Sequence, residues 1–389
     1  MKKLFIAMLS AVALMACNST PKDYYEIAGK VTGVDDGVKI LLFRQNGQSG
    51  TAIARDTLEN GEFYFRVTPE STETEHLHIL CLGEGFAMMG LDLYASAGDK
   101  VRIKGTDNLC YTWRVKGPAP EIKYSQAYVN VARDLYNEIQ RTSIEQDRLR
   151  SLAQQPDADK AQLKAQYDSL ESVNDQLLIK IHEKQIELMK RRKMNAIGLQ
   201  RLNEMAMMCR YYSEVYPLRE QVEEIYHSLD EEWLKHPTAE NIRVSLFPPR
   251  QVTIGEPLID GELYDLDGNP HSLTELRGEY ILLDMWNRGC GPCIMALPEM
   301  GEIAEKYKGR LQVVSITTDN DSAWKEASKQ HAMSWNNWSD GKGESGIYAS
   351  YDMAAIPCYT LISPDGIVID RWTGYGKDSL LSKIAEHIK

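Results

Sequence analysis

Tyr280-Ile-Leu-Leu-Asp-Met-Trp-Asn-Arg-Gly-Cys-Gly-Pro-Cys293 is the stretch that decides the C-terminal fold. Its first seven residues are almost unbrokenly apolar and read as a strand buried on both faces. Cys290-Gly291-Pro292-Cys293 follows at once, and a helical pattern runs on through Met295 to Lys308. A Cys-x-x-Cys alone is a moderate redox signal. It becomes a strong one at the end of a strand, opening a helix, with Ile356-Pro357 downstream. Around it strand and helix alternate. Leu311–Ile316 reads as strand, 321–330 as helix and Tyr359–Ile362 as strand. Asp365-Gly366 turns into Ile367–Ile369, and a last helix covers Leu380–Ile388. Leu263–Gly268 with Ser272–Leu276 reads as a hairpin and turn ahead of the core. This is an α/β domain with a central sheet over residues 254–389.

Outward from it the composition changes twice. Residues 119–245 are rich in Glu, Lys, Gln, Leu and Met, and read as an α-helical domain of about four or five helices. Tyr128, Ala132, Leu135 and Ile139 recur at helical spacing, as do Leu170, Val173, Leu177 and Ile181. Met205, Met207, Met208, Tyr211 and Tyr212 suit either core packing or an adaptable substrate surface. Residues 24–118 alternate short strands with turns such as Asp35-Asp36-Gly37 and Glu59-Asn60-Gly61, a small antiparallel β-sandwich-like domain. His76 and His78 share a strand face there; with no third ligand nearby in sequence, they read as ordinary strand histidines rather than metal ligands.

The N-terminus addresses the compartment. Lys2-Lys3 followed by Leu4–Leu14 is too short an apolar run to span a bilayer and reads as a signal peptide, residues 1–16. Leu14-Met15-Ala16-Cys17 resembles a bacterial lipobox, which implies acylation of Cys17 and a lipidated tether over 17–23. Plain cleavage after Ala13 or Ala16 is the alternative. Acyl chains on Cys17 would hold the protein to a lipid bilayer, in an oxidising envelope compartment where a Cys-x-x-Cys pair must be supplied with electrons or relieved of them. Composition agrees with a globular chain: 389 residues, 43% hydrophobic, formal net charge −12. That charge excludes a general nucleic-acid-binding role, and Lys190-Arg-Arg-Lys193 reads as a solvated helix face. Cys81, Cys110 and Cys209 read as buried apolar thiols, with a Cys81–Cys110 disulfide open.

Asp284-x-Trp286, Cys290-Gly-Pro-Cys293 and Ile356-Pro357 together resemble the thioredoxin family, in particular its envelope branch of TlpA- and ResA-like proteins in the AhpC/TSA-redoxin superfamily. More loosely, Ala54–Phe65 resembles the β-domain that precedes such modules in Gram-negative envelope lipoproteins. The resemblance implies a thioredoxin fold with Cys290 as nucleophile at a helix N-terminus, where unpaired N–H groups and the helix dipole favour a thiolate. Cys293 would resolve the mixed disulfide once deprotonated. Asp284 matches the family's buried acid, which takes that proton; the alternative is a strand-end carboxylate facing solvent. Pro357 matches the family's cis-proline, which shields the thiols while Ile356 offers backbone to a substrate peptide. Trp286 packs beside the site or in the core. Two departures stand out. ResA-type reductases carry a glutamate where this chain has Ala296, although Pro298 is kept. Cys358 occupies a position where threonine is common, and reads as either an inert strand thiol or a third thiol near the site.

Together these features imply an enzyme acting on protein disulfides, with a membrane or periplasmic electron donor, and with no cofactor or metal. Gly-Pro between the cysteines resembles the reducing thioredoxins, and so implies reduction or isomerisation; a role in cytochrome c maturation or envelope repair rests on the resemblance alone. Three other classes compete. A peroxidase of this fold needs a Pro-x-x-x-Thr/Ser-x-x-Cys frame, but counting back from Cys290 gives Leu283 and Asn287, and from Cys293 gives Trp286 and Cys290. A thiol-based metal-binding envelope protein would have only the Cys-x-x-Cys pair and Cys358. A binding protein with a vestigial redox site would not need both cysteines intact.

Overall fold

In a computed structural model, residues 23–46, 49–353 and 355–388 are described. The signal-peptide and lipidation expectations, Cys17 included, lie outside them. Two compact units separate among the described residues. One holds residues up to Gln45 and Thr51–Gln126; the other holds Asn46, Ser49, Gly50 and everything from Ala127 onward.

The first unit is β-rich. Its strands are β1 (Tyr25–Val31), β2 (Lys39–Asn46), β3 (Ser49–Thr57), β4 (Glu62–Val67), β5 (Glu75–Leu82), β6 (Leu91–Ala95), β7 (Lys100–Gly105) and β8 (Arg114–Lys116). They form two four-stranded sheets, ordered β4-β1-β7-β8 and β3-β2-β5-β6. Alternation sets their buried faces: Tyr25, Ile27 and Val31 of β1 and Leu77, Ile79 and Cys81 of β5 point inward. The expected wholly antiparallel arrangement fails at one pair. β1 and β7 run parallel, Ile27 opposite Val101, because β4 already pairs with one edge of β1, and β7, arriving after β5 and β6 of the other sheet, takes the remaining edge. Cys81 and Cys110 are buried with their sulfurs 3.4 Å apart, as free thiols. His76 and His78 both hydrogen-bond Asp92 Oδ1, at 3.2 and 3.1 Å.

Next come α1 (Pro120–Asn130), α2 (Arg133–Leu152), α3 (Lys160–Lys190), α4 (Ala196–Tyr211), α5 (Arg219–His227), α6 (Glu231–Leu234) and α7 (Pro237–Leu246). Asp159 and Asn195 cap α3 and α4 by accepting from the N–H groups of Gln162 and Gly198, which satisfies donors the helix itself cannot. Met205 and Cys209 are core residues of α4, whereas Tyr212 and Val173 are exposed.

Residues 263–388 give β9 (Leu263–Tyr264), β10 (Pro270–His271), β11 (Tyr280–Trp286), α8 (Gly291–Lys306), β12 (Leu311–Thr317), α9 (Asp321–Gln330), β13 (Asn336–Trp338), α10 (Tyr348–Tyr351), β14 (Cys358–Ile362), β15 (Val368–Thr373) and α11 (Ser379–His387). The five-stranded sheet is ordered β13-β12-β11-β14-β15. β11 lies at its centre, parallel to β12 and antiparallel to β14. Both its faces are covered, which is why its sequence is so nearly apolar. Ile281, Leu283 and Met285 join one core with Val314, Ile316 and Tyr351. Leu282 joins another, with Ala296, Met300 and Ile303 of α8.

The helical and sheet segments belong to one unit, and a buried polar knot joins them. Asp352, just after α10, accepts from Arg210 Nη2 at 2.9 Å, from Gln251 Nε2 at 2.8 Å and from the Tyr211 hydroxyl. Arg210 and Asp352 side chains are 7% and 2% exposed. Arg371 braces the same segment through the carbonyls of Val252 and Tyr351, both at 2.6 Å. Removing one partner of such a pair strands a buried charge, so Arg210→Ala should destabilise the unit by about 3–5 kcal/mol. A lowered midpoint in urea unfolding, with the m-value unchanged, checks this.

Candidate active site

The site is built where β11 ends and α8 begins. Trp286 closes the strand, fully buried against Cys293, Trp324 and Ala327. The turn after it is held from below. Asp319, after β12, accepts from the Arg288 N–H at 2.7 Å, while the Cys290 N–H bonds the Asn287 carbonyl at 3.2 Å. Burial pushes the Asp319 carboxyl above its ordinary range. Cys290 then caps α8: its sulfur accepts from the Cys293 N–H at 3.1 Å. Pro292 costs nothing in the first turn, where its missing N–H has no intrahelical partner to lose.

Cys290 and Cys293 are joined as a disulfide, with Cα atoms 5.2 Å apart. Gly291 and Pro292 are exposed, Cys290 is half-buried, and Cys293 is buried. An incoming sulfur therefore reaches Cys290 first.

Asp284 lies on the face of β11 that carries Leu282 and Trp286. Leu282 packs with Ala296 of α8, and Trp286 with Cys293, so the carboxyl sits under the helix that bears the cysteines. It is 3% exposed. Burial pushes its pKa up to about 7, against the pull of a 2.9 Å hydrogen bond donated by Ser315 Oγ. No carboxylate stands at Ala296, which is buried in the core. The buried carboxylate further along α8, Glu299, is occupied in accepting from the N–H groups of Asp378 and Leu381 at 3.0 and 2.9 Å, at the start of α11.

The Ile356–Pro357 bond is cis. Pro357 is buried, and half-buried Ile356 packs against the cluster of Trp286 and Cys293, with Cys290 beside it. The loop thus meets the disulfide. Cys358 does not. It pairs with Met285 across the sheet and belongs to the opposite face, with its sulfur 4.0 Å from the Tyr351 carbonyl. Burial, with Asp284 and Asp352 nearby, pushes its thiol up to about 12. Of the two readings of Cys358 this placement matches the inert strand thiol, for a reason of parity: adjacent residues on a strand face opposite ways. Among the described residues, no group of three or more His, Cys, Asp or Glu side chains is placed to hold a metal.

Sequence reasoning missed Asp319, Ser315 and Trp335, whose indole N–H donates to Ser315 Oγ at 2.8 Å. Ser315 carried a usable signal, being a polar residue between apolar Val314 and Ile316, as Asp284 is between Leu283 and Met285.

Comparison with known proteins agrees. Residues 254–371 match the AhpC/TSA family. The thiol-disulfide oxidoreductase ResA of Bacillus thuringiensis subsp. konkukian (strain 97-27) is 28% identical over 141 residues, covering 36% of this chain and 79% of that protein. The thioredoxin-like protein YneN of Bacillus subtilis (strain 168) is 26% identical over 127 residues, 31% of this chain and 71% of YneN. A solved thiol-disulfide oxidoreductase from Bacteroides fragilis NCTC 9343 aligns with 26% identity and a TM-score of 0.31, over 34% of this chain and 98% of that one. The C-terminal α/β region is a thioredoxin-like domain, and the protein is a redox enzyme of the thiol–disulfide class. Within that class, residues 254–389 are similar to TlpA/ResA-type thioredoxin-like proteins.

Proposed function

We propose that this chain is a lipid-anchored, periplasm-facing oxidoreductase that reduces or isomerises disulfides in envelope proteins, with residues 24–118 and 119–245 as accessory domains before the redox domain at 254–389. The observation that carries the chemistry is Cys290 as the cap of α8, its sulfur accepting the Cys293 N–H, above a buried Asp284. In the reduced protein that N–H and the helix dipole favour the Cys290 thiolate. The thiolate attacks a substrate disulfide, forming a mixed disulfide and expelling one substrate thiolate. Cys293 then gives its proton to the Asp284 carboxylate and attacks the Cys290 sulfur. The Cys290–Cys293 disulfide forms and the second substrate thiolate leaves, so two electrons pass from dithiol to substrate. A membrane or periplasmic dithiol donor returns them.

The envelope location rests on the Lys2–Cys17 pattern, and on the ResA relatives for the type of enzyme. No helix among the described residues is long and apolar enough to cross a membrane. The direction rests on the Gly-Pro pair. Equilibration with glutathione decides it: a potential well below that of the strong periplasmic oxidants supports the reductase, and one near about −120 mV overturns it.

A further inference from the structure

The Asp284 carboxyl is not held by burial alone. Ser315 stands directly beside it on the parallel neighbour β12, fully buried, and donates to Asp284 Oδ2 at 2.9 Å. Ser315 Oγ in turn accepts from Trp335 Nε1 at 2.8 Å. Trp335 precedes β13 and packs on the α8-covered face of the sheet with Tyr307 and Leu311. An indole N–H can only donate, whereas a hydroxyl both donates and accepts. The indole therefore fills an acceptor position of Ser315, and the hydroxyl proton points at the carboxyl. The chain has a fixed polarity, from Trp335 through Ser315 to Asp284.

We propose that Ser315 and Trp335 are positioning residues that orient Asp284 and hold it ionised, ready to accept the Cys293 proton. This rests on the reading of Asp284 as the proton acceptor. With Oδ2 engaged by Ser315, the proton leaving Cys293 Sγ is taken on Oδ1, so the relay stays intact through the step. A hydrogen bond to the charged form favours that form, and opposes the burial that favours the neutral acid. The titratable side chains in the core on this face are Tyr280 of β11, Tyr307, Tyr359 of β14, which is the register partner of Asp284, and Tyr375, and α8 adds buried Cys293 and Glu299. Among these, Glu299 is already engaged at α11.

The test uses the full chain, pre-reduced, in single turnovers with a peptide disulfide from pH 5 to 9, following resolution of the mixed disulfide. The carboxyl stretch of Asp284 is followed by difference infrared spectroscopy. Ser315→Ala should raise the protonation midpoint by about one pH unit, which slows resolution about tenfold well below that midpoint. Trp335→Phe should shift it in the same direction, by less, and Ser315→Thr should restore the wild-type profile. Wild-type midpoints in both Ser315→Ala and Trp335→Phe, in protein with unchanged circular dichroism, overturn the relay. Asp284→Asn separates the two levels. If it leaves the profile unaltered, the assignment of Asp284 as acceptor has failed; if it flattens the profile while Ser315→Ala does not move it, only the relay has.

Discussion

Cys290→Ser should reduce insulin disulfides no faster than buffer does. A hydroxyl cannot form the mixed disulfide, and Cys293 is no substitute: it is 2% exposed, beneath the helix start, so a substrate disulfide meets Cys290 first. Cys358 cannot stand in either, because it lies on the far face of the sheet with its thiol pushed up to about 12. The measurement is turbidimetric insulin reduction with dithiothreitol as donor, against the wild type and an enzyme-free blank. Residual turnover above the blank would move the nucleophile to another cysteine.

Asp284→Asn should separate activity from stability. General acid–base assistance is worth about 10²–10⁴-fold, so resolution of the mixed disulfide should slow by that order above pH 7, where the wild-type carboxyl is ionised. Stability should move the other way. Asp284 is pushed up to about 7 in the fold, against an ordinary value near 3.9 in the unfolded chain. The native state therefore holds the proton more tightly than the unfolded one. The resulting stabilisation is fully present below about pH 4, and is lost as pH rises through about 7. Beyond that, the wild type carries the cost of a buried charge that the asparagine variant does not. The variant's advantage in urea unfolding should grow from pH 4 to 7 and then level off, on the order of 4 kcal/mol. An equal difference at pH 4 and pH 8 would contradict the raised value.

Much of this was legible because chemistry and fold are written on one short segment. The apolar run of β11 announces a central strand, and Cys290 to Cys293 announces what stands at its end. Asp284 drew notice as an acid where only apolar residues belong. Elements without a pattern were lost. β13 reads Asn-Asn-Trp, and its strand character comes from pairing with Val314, Ser315 and Ile316. The parallel β1–β7 pair depends on a return of the chain that no local signal encodes. Arg210 and Asp352 lie 142 residues apart in sequence, and each alone reads as an ordinary surface charge. The face taken by Cys358 follows from strand alternation once its register against Met285 is known, and register is a tertiary fact. Ser315 and Trp335 could have been suspected as polar groups amid apolar ones, but not joined.

The most direct measurement is covalent capture. Full-length Cys293→Ser, reduced and mixed with a disulfide-bonded peptide, should accumulate a one-to-one adduct that dithiothreitol releases, and peptide mapping should place the bond at Cys290. No adduct, or a bond at Cys358 or Cys209, would contradict the assignment of Cys290 as nucleophile and Cys293 as the thiol that resolves it.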